Sequence, residues 1–418
     1  MSHQGYGDEE DPATDSARSA SPTRSFVVTA VVLFAVALSL RPDIIGMGPI
    51  VELIQSDLGT SRTVVGLLAS IPVLCIGFFS PVAAAVGRRI GSERVVTVGL
   101  LALALFGIAR ASAPTAWLLI LLTVGSGAGI AFVQTLFPAI VRARTPDRVA
   151  VVTSIYVIGI QVGAAGSAWY SGEIGETVGW RVPLYTFGGL AAVLAVIWVV
   201  YSGSLRTSIA TSMRSVGRDR RLWLSATAWL LVFTYGLQSF VYFGTSAWLA
   251  PYLQQLDWST AAAGRAVSLL NVTGLIGTLL TPTLLTGLGT VRRVLVACGS
   301  VAVVSLIGLV LVPQAALVLS LTAGLGMGPL LPTILQLPTR VADDIDDIGS
   351  VSGIMLGVGY LLAATGPTVL GFVRDLTGSF VPVVWALAAV MSAFVLTALK
   401  VSPERLQRGV REDLERPA

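Results

Sequence analysis

The chain has 418 residues, 54% of them hydrophobic and only 12% charged, with a formal net charge of +4. Soluble globular chains carry about a quarter of their residues as charges, so the composition excludes an ordinary soluble domain and points to an integral membrane protein. The one histidine, His3, lies in a polar N-terminal stretch, and Cys75 and Cys298 sit inside separate apolar runs, which argues against a transition-metal centre, a histidine-based enzyme, a disulfide framework or any cofactor.

Residues 1–24 are polar and lack the short apolar core of a signal peptide, so they read as a disordered tail. Twelve apolar stretches long enough to cross a bilayer follow, at 25–54, 61–86, 95–113, 116–141, 149–170, 181–201, 222–250, 259–286, 291–312, 315–339, 349–373 and 380–400. The polar stretch 202–221 divides them into six and six. It reads as a linker between an N-terminal half, 25–201, and a C-terminal half, 222–400, with a second tail at 401–418. Cysteine packing inside spans 2 and 9 is the expected role of the two thiols.

Of the 27 lysines and arginines, 21 fall on the side that holds both termini and 5 on the other, among them Arg110, with Arg41 counted on neither. That bias predicts cytoplasmic termini and a multi-pass protein of the cell membrane. The net positive charge then reports topology and gives no reason to expect nucleic-acid binding.

The halves echo each other. "SRTVVG" (61–66) opens span 2 as "STAAAG" (259–264) opens span 8, and "GSGAG" (125–129) with Pro138 and Arg142 parallels "GLGMG" (324–328) with Pro338 and Arg340. The predicted fold is an all-α membrane protein of twelve transmembrane helices in two pseudo-symmetric halves, an architecture that places a solute site near the midplane between them. A monomer suffices for such a site.

Span 1 carries the anomaly "LSLRPDII" (38–45), which puts Arg41 near the bilayer centre. A central arginine costs about 2.5–3.5 kcal/mol on insertion scales and normally faces a bundle interior or a watery cavity. Pro42 removes a backbone donor, which predicts a kink and a carbonyl freed one turn earlier. Asp43 stands about 200° round the helix from Arg41, so the two are expected to have different partners. No other span shows an unpaired acid at that depth. Arg41 is therefore expected either to contact a solute, an anion above all, or to tether helices.

The stretches "LRPDIIGMGPI" (40–50), "GLLASIPVLCIGFFSPVAAAVGRRIGSERVV" (66–96), "YGLQSFVYFGTSAWLAPYL" (235–253) and "SGIMLGVGYLLAATGPTVLGFVRDLTGSF" (352–380) resemble the cyanate and 2-nitroimidazole transporter family of the major facilitator superfamily. The resemblance covers all twelve spans and implies the major facilitator fold. It also implies Gln238, Ser239 and Tyr242 on span 7 as site residues, with Phe243 replacing a second tyrosine, and Tyr156 and Tyr360 at matching positions on spans 5 and 11. Where the wider superfamily's loop 2–3 carries an aspartate, "VGRRIGSER" (86–94) has Arg88. Arg88, Arg89 and Arg94 are expected to form a cytoplasmic gate or topology signal, with Glu93 as an ion-pair partner.

Tyr235, Gln238, Tyr242 and Thr245 draw a polar, aromatic stripe down one face of span 7. Gln134, Gln161 and Asn271 are further intramembrane polar groups, explained equally well by interhelical bonding, although Gln134 is included among the substrate-binding candidates. "DDIDDIG" (343–349) lacks the spacing of a calcium loop and reads as a solvated approach to span 11. No phosphate-binding glycine loop is present, so transport is expected to use no ATP directly. If protons are coupled, Asp43 is the first candidate carrier and Glu52 the second. The sequence leaves solute, direction and coupling open between a carrier of small polar or anionic solutes, a drug/proton antiporter, a channel, and a non-transporting membrane sensor.

Overall fold

The computed structural model describes residues 22–203, 225–341 and 345–402. Most of the two expected tails and of the linker, and Asp343 and Asp344 of the acidic run, lie outside the described residues. Among the described residues, twelve helical spans are long and apolar enough to cross a membrane: Phe26–Leu58, Arg62–Ile90, Ser92–Ala111, Ala116–Arg144, Pro146–Val178 and Arg181–Gly203, then Ala226–Gln254, Thr260–Leu288, Val291–Leu311, Pro313–Leu335, Val351–Thr377 and Val381–Ala398. They are numbered 1–12 below. The terminal face is the one from which span 1 starts and at which span 12 ends; the other is the distal face.

Packing repeats between the halves. Span 3 lies against spans 4 and 6 as span 9 lies against 10 and 12, span 2 packs on 4 as 8 packs on 10, and span 1 packs on 5 as 7 packs on 11. The halves meet where span 2 runs along span 11 and span 8 along span 5. Local signals repeat as well. The Ser61 hydroxyl accepts from the Val64 N–H at the start of span 2, and Ser259 does the same for Ala262 on span 8, which satisfies a helix-start donor at each place. Left-handed residues end matching spans: Gly59 and Asp257 after spans 1 and 7, Gly91 and Gly289 after 2 and 8, Gly179 and Gly378 after 5 and 11.

The two seams carry mirrored acid caps. Asp375, near the end of span 11, accepts from the N–H groups of Arg62 and Thr63 at 3.1 and 2.8 Å. Glu176, near the end of span 5, accepts from the Ala261 N–H at 2.6 Å. Each carboxylate thus sits at the positive end of a helix dipole belonging to the opposite half. Gly66 and Gly264 let backbones approach below these caps: a Cβ at either would lie 2.7 Å from the carbonyl of Pro367 or Ala168 across the seam. Further bonds join Arg265 to Glu173, Thr368 to Ser70 and Gln254 to the Pro49 carbonyl. Among the described residues, the hydrogen bonds between halves run from mid-depth to the distal face, so that face is sealed.

Two spans are broken, span 1 where the kink at Pro42 was expected and span 10 where no break was foreseen. Span 1 is broken into Pro22–Leu38, Pro42–Ile45, a short 3-10 turn Gly48–Ile50 and Val51–Leu58. Pro42 cannot donate to the Leu38 carbonyl, and Gly163 of span 5 packs directly on that carbonyl. Span 10 breaks after Met327 and continues as Leu330–Leu335 and Leu337–Val341. There Pro332 leaves the Gly328 carbonyl without its helical donor, and the Thr278 hydroxyl of span 8 donates to it at 2.9 Å. A Gly163→Val variant should lower thermal stability by about 1–3 kcal/mol, because a Cβ there collides with backbone that cannot move aside. Thermal denaturation in detergent reads this, and an unchanged midpoint would contradict the packing.

Candidate solute site at the break in span 1

Arg41 caps the four-residue helix Pro42–Ile45, and its carbonyl accepts from the Ile44 and Ile45 N–H groups at 3.0 and 2.9 Å. Its side chain leaves span 1 toward span 7. The guanidinium stands 5.5 Å from the centre of the Phe243 ring, within cation–π range. Arg41 is 7% exposed, its Nε and Nη1 have no hydrogen-bond partner, and no ion pair to it is found among the described residues. Among the described residues, the carboxylate form of the expected helix tether is therefore not made.

Aromatic rings continue outward from the guanidinium. Tyr235 and Tyr242 are within its electrostatic reach. Tyr235 meets Tyr360 of span 11 edge-on at 5.4 Å, and the Tyr360 hydroxyl accepts from Gln134 of span 4 at 3.2 Å, which joins the halves at mid-depth. Tyr156 of span 5 packs edge-on against Phe137 at 5.5 Å and faces the same Tyr360. Gln134, Tyr156, Tyr242 and Tyr360 are only half-buried, as side chains lining an interior space would be. Gln238 and Ser239 are buried beside them, the Ser239 hydroxyl donating to the side-chain Oε1 of Gln238 at 3.2 Å. Successive contacts therefore link Arg41 to Tyr235, Tyr242, Tyr360, Gln134 and Tyr156, a belt of side chains from spans 1, 4, 5, 7 and 11, with Gln238 and Ser239 on the same stretch of span 7.

Asn271, one of the polar groups that interhelical bonding would explain, makes such a bond. The Tyr242 hydroxyl donates to Asn271 of span 8 at 2.9 Å, which fixes the ring's tilt. Thr245, the last member of the span 7 stripe, is buried without a hydrogen-bond partner. Ser239 is also the counterpart of Arg41: each stands at the same spacing ahead of the left-handed residue that ends its span, Gly59 or Asp257. The pseudo-twofold thus sets a cation against a hydroxyl, so the site is charged on one side only.

The charged candidates separate. Asp43 is not beside Arg41; it accepts from Nη2 of Arg110 at 2.7 Å, and the two side chains are 3% and 0% exposed. Arg110, counted above with the loops, is instead fully buried in the last turn of span 3. Span 3 is short and its basic residue falls before the turn at Ser112, a depth that hydropathy alone does not resolve. Glu52 pairs with Arg62 at 3.0 Å near the distal face, well away from the belt. Glu93 pairs with Arg144 of span 4, not with its neighbours in the loop, while Arg88, Arg89 and Arg94 are exposed. Cys75 and Cys298 are both buried and free.

The Major Facilitator Superfamily model matches residues 25–367. An uncharacterised transporter, YycB, of Bacillus subtilis is 30% identical over 88% of this chain and 92% of its own length. The 2-nitroimidazole transporter of Escherichia coli is also 30% identical, over 88% of this chain and 94% of that one, and the cyanate transport protein CynX of the same organism 24% identical, over 90% and 97%. Among solved structures, the nucleoside transporter NupG (D323A mutant) superposes with a TM-score of 0.74 at 12% identity, covering 89% of this chain and 99% of that one.

Proposed function

The chain belongs to the major facilitator superfamily, and from that premise we propose that it carries a small, flat, polar or anionic solute across the cell membrane by alternating access, with Arg41 as the anchor. The observation that carries this reading is the buried guanidinium, which has no carboxylate partner among the described residues. A cation held in low dielectric without a partner is costly, and a solute anion seated over it supplies the missing charge. The Phe243, Tyr242 and Tyr235 rings form flat walls, while Gln238, Ser239 and Gln134 offer hydrogen bonds along the edges. Cyanate and 2-nitroimidazole, named for two relatives, both have the size and flatness such walls suit.

Rocking of the halves is supported by the seams, which combine close glycine contacts with exposed acid caps and a few side-chain bonds. With cytoplasmic termini, as the arginine bias suggests, the sealed distal face is the outer one and the solute enters this conformation from inside. Proton coupling through Asp43 or Glu52 would have to break an existing bond to Arg110 or Arg62. That favours a cycle driven by the solute's own gradient. A single copy contains the whole belt, so a monomer is the expected working unit.

A thermal-shift series on the purified protein tests the assignment. Cyanate, 2-nitroimidazole or another small flat anion at about a hundred times its Kd should stabilise the folded state by about 2.7 kcal/mol. If cations or bulky apolar drugs raise the midpoint and no small anion or nitroimidazole does, the proposed class is wrong.

A further inference from the structure

We propose that Arg110 is a positioning residue for solute binding: acting through Asp43, it holds the break in span 1 so that Arg41 faces the aromatic belt. The inference rests on the reading of Arg41 as anchor. Between Leu38 and Pro42 the regular helical ladder is interrupted, with Ser39 and Leu40 donating to Val36 and Ala37 in tight turns. Backbone bonding alone leaves the four-residue helix Pro42–Ile45 weakly directed. Its orientation comes from neighbours, and the bond from Arg110 to Asp43 is its one ion pair among the described residues.

The geometry suits that role. Asp43 lies on the opposite side of the short helix from Arg41, so a pull on Asp43 toward spans 3 and 4 turns the Arg41 side chain toward span 7. Ser126 of span 4 lies beside the same carboxylate. Gly46 packs against the Phe187 ring of span 6, on Asp43's side of the short helix, and just beyond it Gly48 packs against the Ser246 carbonyl of span 7, where a Cβ would come within 2.5 Å. The short helix is thus held by a directional charge pair and by close packing at its C-terminal end. The pair also leaves Nε and Nη1 of Arg110 and Oδ2 of Asp43 buried without partners, a costly arrangement if stability alone were served.

Replacing both partners by apolar residues of similar size separates positioning from stability, since buried ion pairs often exchange for apolar pairs without loss of fold. The double variant Asp43→Leu/Arg110→Met should keep the wild-type melting midpoint to within a few degrees. Its apparent Kd for cyanate or 2-nitroimidazole, whichever shifts the wild type, should rise by about tenfold to a hundredfold. Hydrogen exchange should quicken in peptides covering 38–50 and stay unchanged elsewhere. Single variants Asp43→Asn and Arg110→Met are expected to lose stability as well, which is why the double variant decides.

Wild-type affinity together with wild-type protection at 38–50 in the double variant would overturn the proposal. Arg41→Ala measured alongside keeps the two readings apart. If it binds both probes as the wild type does, or if the wild type binds neither, the anchor assignment falls, and exchange at 38–50 alone then decides whether Arg110 orients the break.

Discussion

Arg41→Ala should abolish saturable uptake of the recognised solute in proteoliposomes while the protein inserts and folds normally. Truncating one member of a desolvated charge pair costs about 2–5 kcal/mol of binding, roughly 30-fold or more in affinity. The sign of the effect on stability is the stricter test. In the empty protein Arg41 is buried with two nitrogens unbonded, so removing it relieves a desolvation cost and the unliganded midpoint should hold or rise. Arg41→Lys should fail too, because a point charge has neither the planar fork nor the ring stacking that the Phe243 distance allows. Well-folded Arg41→Ala protein with normal uptake would remove the anchor from the site.

Valine at both Gly66 and Gly264 should wedge the distal seams apart. Each new side chain begins 2.7 Å from a backbone carbonyl of the other half, and overpacking of that kind costs about 1–3 kcal/mol per site. Two such costs shift a two-state equilibrium by more than about tenfold toward the state open at that face. With Cys75 and Cys298 replaced by serine, a Ser246→Cys reporter behind the seal is 1% exposed in its native form. It should pass from unreactive to fully labelled by an impermeant maleimide added outside cells. Neutralising the caps with Glu176→Gln and Asp375→Asn should give the same change in smaller measure, since exposed helix-end charges contribute only about 0.3–1 kcal/mol each. A reporter that stays unlabelled in folded double-valine protein would mean that these seams do not gate the site.

Much of this molecule was legible before any coordinates. Twelve apolar runs became twelve spans because hydrocarbon thickness sets their length, and the serine-led openings of spans 2 and 8 became true caps. Asp43 did pair away from Arg41, as their angular separation required. What sequence reasoning missed was depth and pairing across the chain. Arg110 is a span residue sixty-seven positions from its carboxylate, and no local pattern links the two. The cap carboxylates did leave a signal that went unread: "ETVG" (176–179) and "DLTG" (375–378) each place an acid three residues before the glycine that ends its span. The break in span 10 was written in Gly328, Pro329 and Pro332, yet hydropathy averages over such residues.

The fracture in span 1 makes that element two rods joined at an elbow. Its first rod rests on span 5 of its own half, while the turn beyond the elbow also reaches spans 7 and 8 of the other half. A solute that draws the Arg41 side chain therefore applies torque at a joint instead of stress along a stiff cylinder. Occupancy can bend span 1 locally before either half moves as a body.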